Sequence, residues 1–431
     1  MAFMDAERST DRVIAAAFLR SDADLDLAQI GKVLGCSSAT ASRLLAEAQR
    51  LQWLHERWEM DLSALSEDER RRCLHLLRDA EMEQRIVSTW RSCDNCVVVK
   101  TEALAALGPG AGGEAGEPDR HSLASTVRAA VGRAAAFLFT KELVQQLPER
   151  SWIALAWGGM TASFVVGLRT FRPVLKSATI VPVIGHVQSE DGHDADSAQA
   201  LCRRMAQTTG AKPLVLSIPS RIPLAVEDLQ VATETLKGDA RFKELFTPRD
   251  KEGCTPLATK ADCLIMGIGS LEGGRWPHLA DVADLTEGFV SRLENAELRA
   301  ATQRDLEARH DEAGKLEVIH SLLRKRILVE EGILGDILSN WVRLEGDRLV
   351  EPADGWAAKF NARMNGLHLQ DVAKIAEEAR SRKTPGVMVV SCGYPEPENR
   401  EKILRHALES RLISNLVIDS YLARALLAPM G

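Results

Sequence analysis

The stretch 36-CSSATASRLLAEAQRL-51 sets apolar residues at Ala41, Leu44, Leu45, Ala48 and Leu51. Spacings of three and four place them on one face of a helix. Near the start of that helix the other positions, Ser38, Ala39, Ser42 and Arg43, are small or hydrogen-bonding. A large apolar tip is useless in a DNA groove. Small polar residues permit close approach, and an arginine can reach guanine or phosphate.

The residues just before extend this reading. In DLAQIGKVL, residues 26–34, Leu27, Ile30 and Leu34 share a face, Asp26 can cap the start, and Gly35 can end the helix. TDRVIAAAFLR, residues 10–20, reads as an earlier helix with Thr10 as its N-cap. Three helices with a tight turn between the last two make a helix-turn-helix, whose final helix enters the major groove N-terminus first. Arg43 and Ser42 are then expected to contact DNA, with Ser38 and Thr40 placing the helix. A small helical bundle serving protein contacts is the alternative.

Charge weighs on the other side. The net charge of −7 argues against a nonspecific polyanion binder. Residues 1–60 carry seven basic and nine acidic side chains, a balance of −2. The excess reverses locally, because residues 30–58 hold Lys32, Arg43, Arg50 and Arg57 against Glu47 and Glu56. Eight cysteines at irregular spacings read as reduced thiols. The pair Cys93 and Cys96 lacks the second pair or nearby histidines that zinc requires, so neither metal nor cofactor is expected. Without an apolar run of membrane-spanning length or a secretory signal, the chain is expected in the cytoplasm with no membrane partner.

At 431 residues the chain is long enough for two or three domains. The reading is α/β: a helix-turn-helix domain at 1–60, a linker helix and flexible loop at 61–120, and a Rossmann-like parallel-sheet domain at 121–431. The linker helix is expected over 66–92, and the Gly/Pro-rich run 108–118 is a surface excursion. CVVVK, SWIALAW, ATIVPVIG, KPLVLSIP, CLIMGIG, GVMVVSCG and the start of LVIDSYLARALL read as strands buried on both faces. The charged stretch 284–327 reads as a helical insertion, either projecting or serving assembly.

Open parallel sheets bind ligands at the carboxyl ends of their strands. Three glycine turns follow strands here: Gly158, Gly159 and Thr161; Gly267, Gly269 and Ser270 with Arg275 beyond; and Gly393 with Arg400 and Lys402 beyond. Glycines let amides approach an anion, so three such turns with three cations favour a phosphorylated ligand. SEDGHDADS, residues 189–197, lacks the spacing of a calcium loop. No serine stands in a nucleophile elbow, so an enzyme is not expected.

Taken in order, these stretches resemble the SorC family of bacterial sugar-responsive transcription regulators. SSATASRLLAEAQRLQWL resembles the family's recognition helix, IALAWGGMTA its first glycine turn, and GILGDILSNWVRLEGDRL a later signature. GVMVVSCGYPEPENREKILRHALESRLISNLVIDSYLARALL resembles its closing segment. The resemblance implies an effector domain with a sugar-phosphate-isomerase fold that binds without turnover. It also implies homodimers or homotetramers on operator DNA, with a sugar or sugar-phosphate effector. Gly158 and Thr161 match the turn that holds the effector's phosphate, Asp336 a hydroxyl acceptor, and Lys402 a phosphate partner. The first turn is one residue longer than the family's Gly-x-Thr. A sugar-phosphate enzyme with an appended helical module, or a regulator with a non-sugar or partner-binding pocket, remain the alternatives.

Overall fold

The computed structural model describes residues 2–21, 26–51, 78–101, 120–185, 197–216, 218–222, 228–236, 238–246, 253–270, 330–394 and 400–429, with single positions 300, 304 and 307. The expected insertion at 284–327, the acidic loop 189–197, the glycine-rich run 108–118 and Arg275 therefore lie outside the described residues, or almost wholly so.

The head is three helices: α1 (Ala2–Ser21), α2 (Leu27–Val33) and α3 (Ser38–Arg50). Ile14, Ala17, Ile30, Ala41, Leu45 and Ala48 meet in its core, with Leu44 and Leu51 packed at the margin. Asp26 caps α2 through a reciprocal box. Its carboxylate accepts from Gln29 N at 2.8 Å, and the Gln29 side chain accepts from Asp26 N at 2.8 Å. Gly35 ends the helix at φ +59°, where a side chain would be strained. Gly31 has a different reason to be glycine, since a Cβ there would lie 2.7 Å from Cys36 O across the turn. Two expectations change. Thr10 lies inside α1 rather than at its start. Leu27 is 40% exposed, so the buried face of α2 rests on Ile30.

The body begins with α4 (Ala80–Thr89), β1 (Asn95–Val99), α5 (Arg120–Leu138), β2 (Trp152–Leu155), α6 (Gly159–Phe171) and β3 (Thr179–Pro182). It continues through α7 (Ala198–Thr209), β4 (Lys212–Pro213), α8 (Leu229–Leu236), α9 (Ala240–Leu245), α10 (Pro256–Lys260), β5 (Cys263–Met266) and β6 (Ile268–Ser270). It closes with β7 (Ile333–Ile337), β8 (Asn340–Glu345), β9 (Arg348–Val350), α11 (Gly355–Asn361), α12 (Leu369–Arg382), β10 (Gly386–Val390), α13 (Arg400–Glu409), β11 (Asn415–Asp419) and α14 (Ser420–Leu427).

Seven parallel strands run in the order β1-β11-β10-β5-β2-β3-β4. Alternate residues face opposite layers, as the pleat requires. Ile153, Leu155, Cys263, Ile265, Met388 and Val390 pack under α5, α6 and α7. Ala154, Leu264, Met266, Val387 and Val389 pack against α10, α12 and α13. Both faces are covered, which is why these strands read as continuous apolar runs.

Several features go beyond the sequence reading or differ from it. β1 joins the sheet beside β11, so the sheet recruits residues from the stretch read as linker. Of the helix expected over 66–92, residues 66–77 lie outside the described residues, and the remainder holds α4. There Asp79 caps the start, accepting from Met82 N, and Trp90 ends it. KPLVLSIP contributes only Lys212–Pro213 as strand, at the sheet edge. Signature 332–350 forms something unforeseen, a second antiparallel sheet in the order β6-β7-β8-β9.

Candidate functional site

The N-terminal turn of α3 is held by a residue missed among the sequence candidates. Ser37 is the N-cap, accepting from Thr40 N at 3.2 Å, and its hydroxyl lies 3.0 Å from that of Thr40. Thr40 is half-buried and also accepts from Arg43 Nη2 at 3.3 Å. Thr40 thus positions Arg43. Ser38, Ala39, Ser42 and Arg43 are all exposed. Two other head cations are engaged, Arg12 with Leu34 O and Arg50 with Glu47. Among the described residues Arg43 is tied within its own helix, to Ala39 O and Thr40. The signal for Ser37 was present in the sequence, a serine ahead of an apolar-periodic run.

The three glycine turns come together because β10, β5 and β2 are neighbours. After β2 the chain steps outward to β3 and β4, then returns to β5 on the other side of β2. The divergence opens a crevice at the carboxyl ends of β2 and β5, the place where such sheets bind ligands. Met160 and Gly267 face each other there, with 3.8 Å between Met160 Cβ and a Cβ built on Gly267.

The turns are not alike. The first leads into the 13-residue α6, whose N-cap Gly158 sits at φ +107° and supplies no side-chain cap. The first α-helical bond runs from Ala162 N to Gly158 O, so the amides of Gly159, Met160 and Thr161 have no acceptor within the helix. Thr161 is 1% exposed, and among the described residues its hydroxyl has no hydrogen-bond partner.

The second turn leads into a strand rather than a helix. Ile268, Gly269 and Ser270 pair antiparallel with Ile337, Asp336 and Gly335, so this backbone belongs to a ladder. Gly269 is required there because a Cβ would overlap the Asp336 carboxyl.

The third turn is already occupied. Asp419, fully buried, accepts from Gly393 N at 3.0 Å, Tyr394 N at 2.8 Å and Leu422 N at 3.0 Å. Gly393 is small for packing, since a Cβ would lie 2.9 Å from Leu422 Cβ. Arg400 donates to Cys392 O at 3.0 Å, and Lys402 is exposed on α13. An internal carboxylate thus fills the amide cradle that the sequence offered to a phosphate.

Asp336 is joined to the first turn by two residues that spacing could not reveal. Ser339 N donates to Asp336 Oδ2 at 3.0 Å, and Trp157 Nε1 donates to Ser339 Oγ at 2.7 Å. Leu338 and Ser339 hold this tight β7–β8 turn at φ +52° and +72°, a strained geometry for non-glycine residues. One edge of Asp336 reaches solvent, while protein packs round its carboxyl. Burial pushes that carboxyl up to about 6, against the opposing pull of the Ser339 amide and the Arg400 guanidinium.

A carboxyl whose folded pKa exceeds its unfolded value favours the fold most at low pH, and the benefit is lost as pH rises through the folded value. Asp336→Asn should therefore leave stability unchanged near pH 4. At pH 7.5 it should raise stability by about 1–3 kcal/mol, because no charge is then buried. Urea unfolding at both pH values checks this. An equal effect at both would show that ionisation is not the cause.

Cys93 and Cys96 are buried, and burial pushes the Cys93 thiol up to about 12 and that of Cys96 upward as well. Both therefore stay neutral. Among the described residues no helix is long and apolar enough to cross a membrane.

No family model matches the chain, and no curated protein sequence does. Among solved structures it is similar to the full-length sorbitol operon regulator SorC from Klebsiella pneumoniae, at 16% identity and TM-score 0.49, covering 96% of this chain and 98% of that one. It is similar to a DeoR family transcriptional regulator from Listeria monocytogenes, at 15% identity and TM-score 0.47, covering 80% and 98%. It is also similar to a transcriptional regulator from Streptococcus pneumoniae, at 11% identity and TM-score 0.47, covering 80% and 95%.

Proposed function

We propose that the chain is a DNA-binding transcriptional regulator whose operator affinity is set by a sugar or sugar-phosphate ligand held at the carboxyl edge of the parallel sheet. The observation that carries the reading is the exposed tip of α3, where Ser38, Ser42 and Arg43 stand clear of the protein on a capped helix. One small head with few free cations supplies little affinity. The working species is then a homodimer or homotetramer, reading half-sites about one helical turn or a multiple apart. The ligand acts by binding one quaternary state better than another. Gly158, Gly159, Thr161 and Asp336 are its contacts in this reading. The ladder at Gly269 and Ser270 supports Asp336, and Gly393 is a packing residue.

The test is Arg43→Ala in the full chain. The side chain is exposed, so the fold should survive intact. A lost base-edge contact is worth about 1–3 kcal/mol, a tenfold or larger drop in operator affinity. Fluorescence anisotropy with operator DNA at fixed salt reads it. Unchanged affinity in a folded variant overturns the DNA-reading role of α3.

A further inference from the structure

The head and the body have separate apolar cores, and two rings belong to both. Phe171 and Tyr394 pack against the body core under α5, α6 and α7, and they also pack against the core of the head. Among the described residues they are the body side chains that reach the head's core. The chain that joins head to body, residues 52–77, lies outside the described residues.

Each ring is held in place from the body side. Phe171 is the last residue of α6, which ends as Arg172 turns to φ +44°. Its ring meets that of Phe137 on α5 edge-on, with centroids 5.7 Å apart. Tyr394 donates its backbone amide to Asp419 at 2.8 Å, and its ring meets that of Tyr421 on α14 edge-on at 5.2 Å. Edge-to-face pairs of this kind fix ring orientation as well as contact. Both anchors also continue into the crevice. The helix that ends at Phe171 begins at the Gly158 turn, and Tyr394 belongs to the turn after β10.

The contact leaves the tip of α3 open, since Ser38, Ser42 and Arg43 stay exposed with both rings in place. A contact over that tip would silence the reader, whereas this one sets its direction. We propose that Phe171 and Tyr394 form a dock that fixes the orientation of the DNA-reading head on the body. A head held at a set angle meets half-sites of one spacing with little freedom left to lose, and an undocked head loses that freedom on binding. This assignment rests on the DNA-reading function proposed above.

The test uses the full chain as Phe171→Ala, Tyr394→Ala, the double variant and Tyr394→Phe. Without DNA, hydrogen exchange read by mass spectrometry should rise severalfold in peptides from α1, α2 and α3 of the alanine variants, most in the double. Peptides from β5 and β10 should keep the wild-type rate, and Tyr394→Phe, which retains the ring, should match the wild type throughout. If the double variant disturbs β5 or β10, the single variants carry the comparison. Fluorescence anisotropy then uses operator duplexes with one half-site and with two. The double variant should lose about tenfold or more on the two-site duplex and keep its single-site affinity. Unchanged head exchange, unchanged two-site affinity, or an equal loss on both duplexes overturns the dock. The two readings fail separately. If the wild type binds no DNA while the exchange pattern holds, the regulator reading falls and the head–body contact stands. If DNA binding is present and head exchange is unchanged, the dock falls and the regulator reading stands.

Discussion

Gly132→Val should cost the protein at least about 3 kcal/mol, enough to leave much of the chain unfolded at ambient temperature. Gly132 lies in the middle of α5, where α6 crosses backbone against backbone. A Cβ on Gly132 would fall 2.5 Å from Ser163 Cβ and inside the Ser163 backbone. The crossing is reciprocal. A Cβ on Gly167 of α6 would lie 2.9 Å from Arg133 Cα, 3.0 Å from Gly132 O and 3.1 Å from Ala136 Cβ. Flexible side-chain ends can move aside, but backbone in two packed helices cannot. Alanine gains up to about 1 kcal/mol of helix propensity over glycine, and that gain does not offset a clash with main chain. Gly132→Ala should therefore already destabilise, and valine more so. Chemical denaturation reads both, and a midpoint unchanged by valine would show that the helices are not in backbone contact. Because α6 begins at the turn proposed to hold the ligand, variants that still fold should also respond less to ligand.

Asp419→Ala should be of similar size, with a loss of about 3–5 kcal/mol. One buried carboxylate serves three amides from two segments, the 393–394 turn and the first turn of α14. Truncation leaves Gly393 N–H, Tyr394 N–H and Leu422 N–H without an acceptor in a place water reaches poorly. The asparagine variant separates hydrogen bonding from charge. It can keep one oxygen on Gly393 N and Leu422 N, and it loses the acceptor for Tyr394 N. Asp419→Asn should thus fall between wild type and Asp419→Ala in urea unfolding. A loss below about 1 kcal/mol for alanine would mean that water replaces the carboxylate.

Local chemistry was legible in the sequence, and distant chemistry was not. Asp26 and Gln29 sit three residues apart, so their reciprocal cap leaves a signature that spacing alone exposes. The same holds for the stripe Ala41, Leu45, Ala48 on α3, and for strands whose apolar runs report burial on both faces. Glycines mislead because the residue looks the same whatever demands it. Gly158 answers to a positive φ, Gly269 to a crossing carboxyl, and Gly393 to a leucine of α14. Trp157, Ser339 and Asp336 meet across a separation of about 180 residues, and nothing in a window of twenty can show that. Asp419 caps α14, and its two further amides come from a turn about 25 residues earlier, out of reach of local spacing.

The pairing of β1 with β11 also orders events at the ribosome. The Asn95 side chain donates from Nδ2 to Asn415 Oδ1 at 2.8 Å, across 320 residues of chain. A nascent polypeptide can assemble its head from the first fifty residues as soon as they emerge. Val97, Val98 and Val99 must wait for the last strand, with an unpaired apolar edge exposed meanwhile. Newly made copies thus pass through an interval with a folded head and an incomplete sheet. During that interval the waiting apolar edge is open to mispairing with other strands.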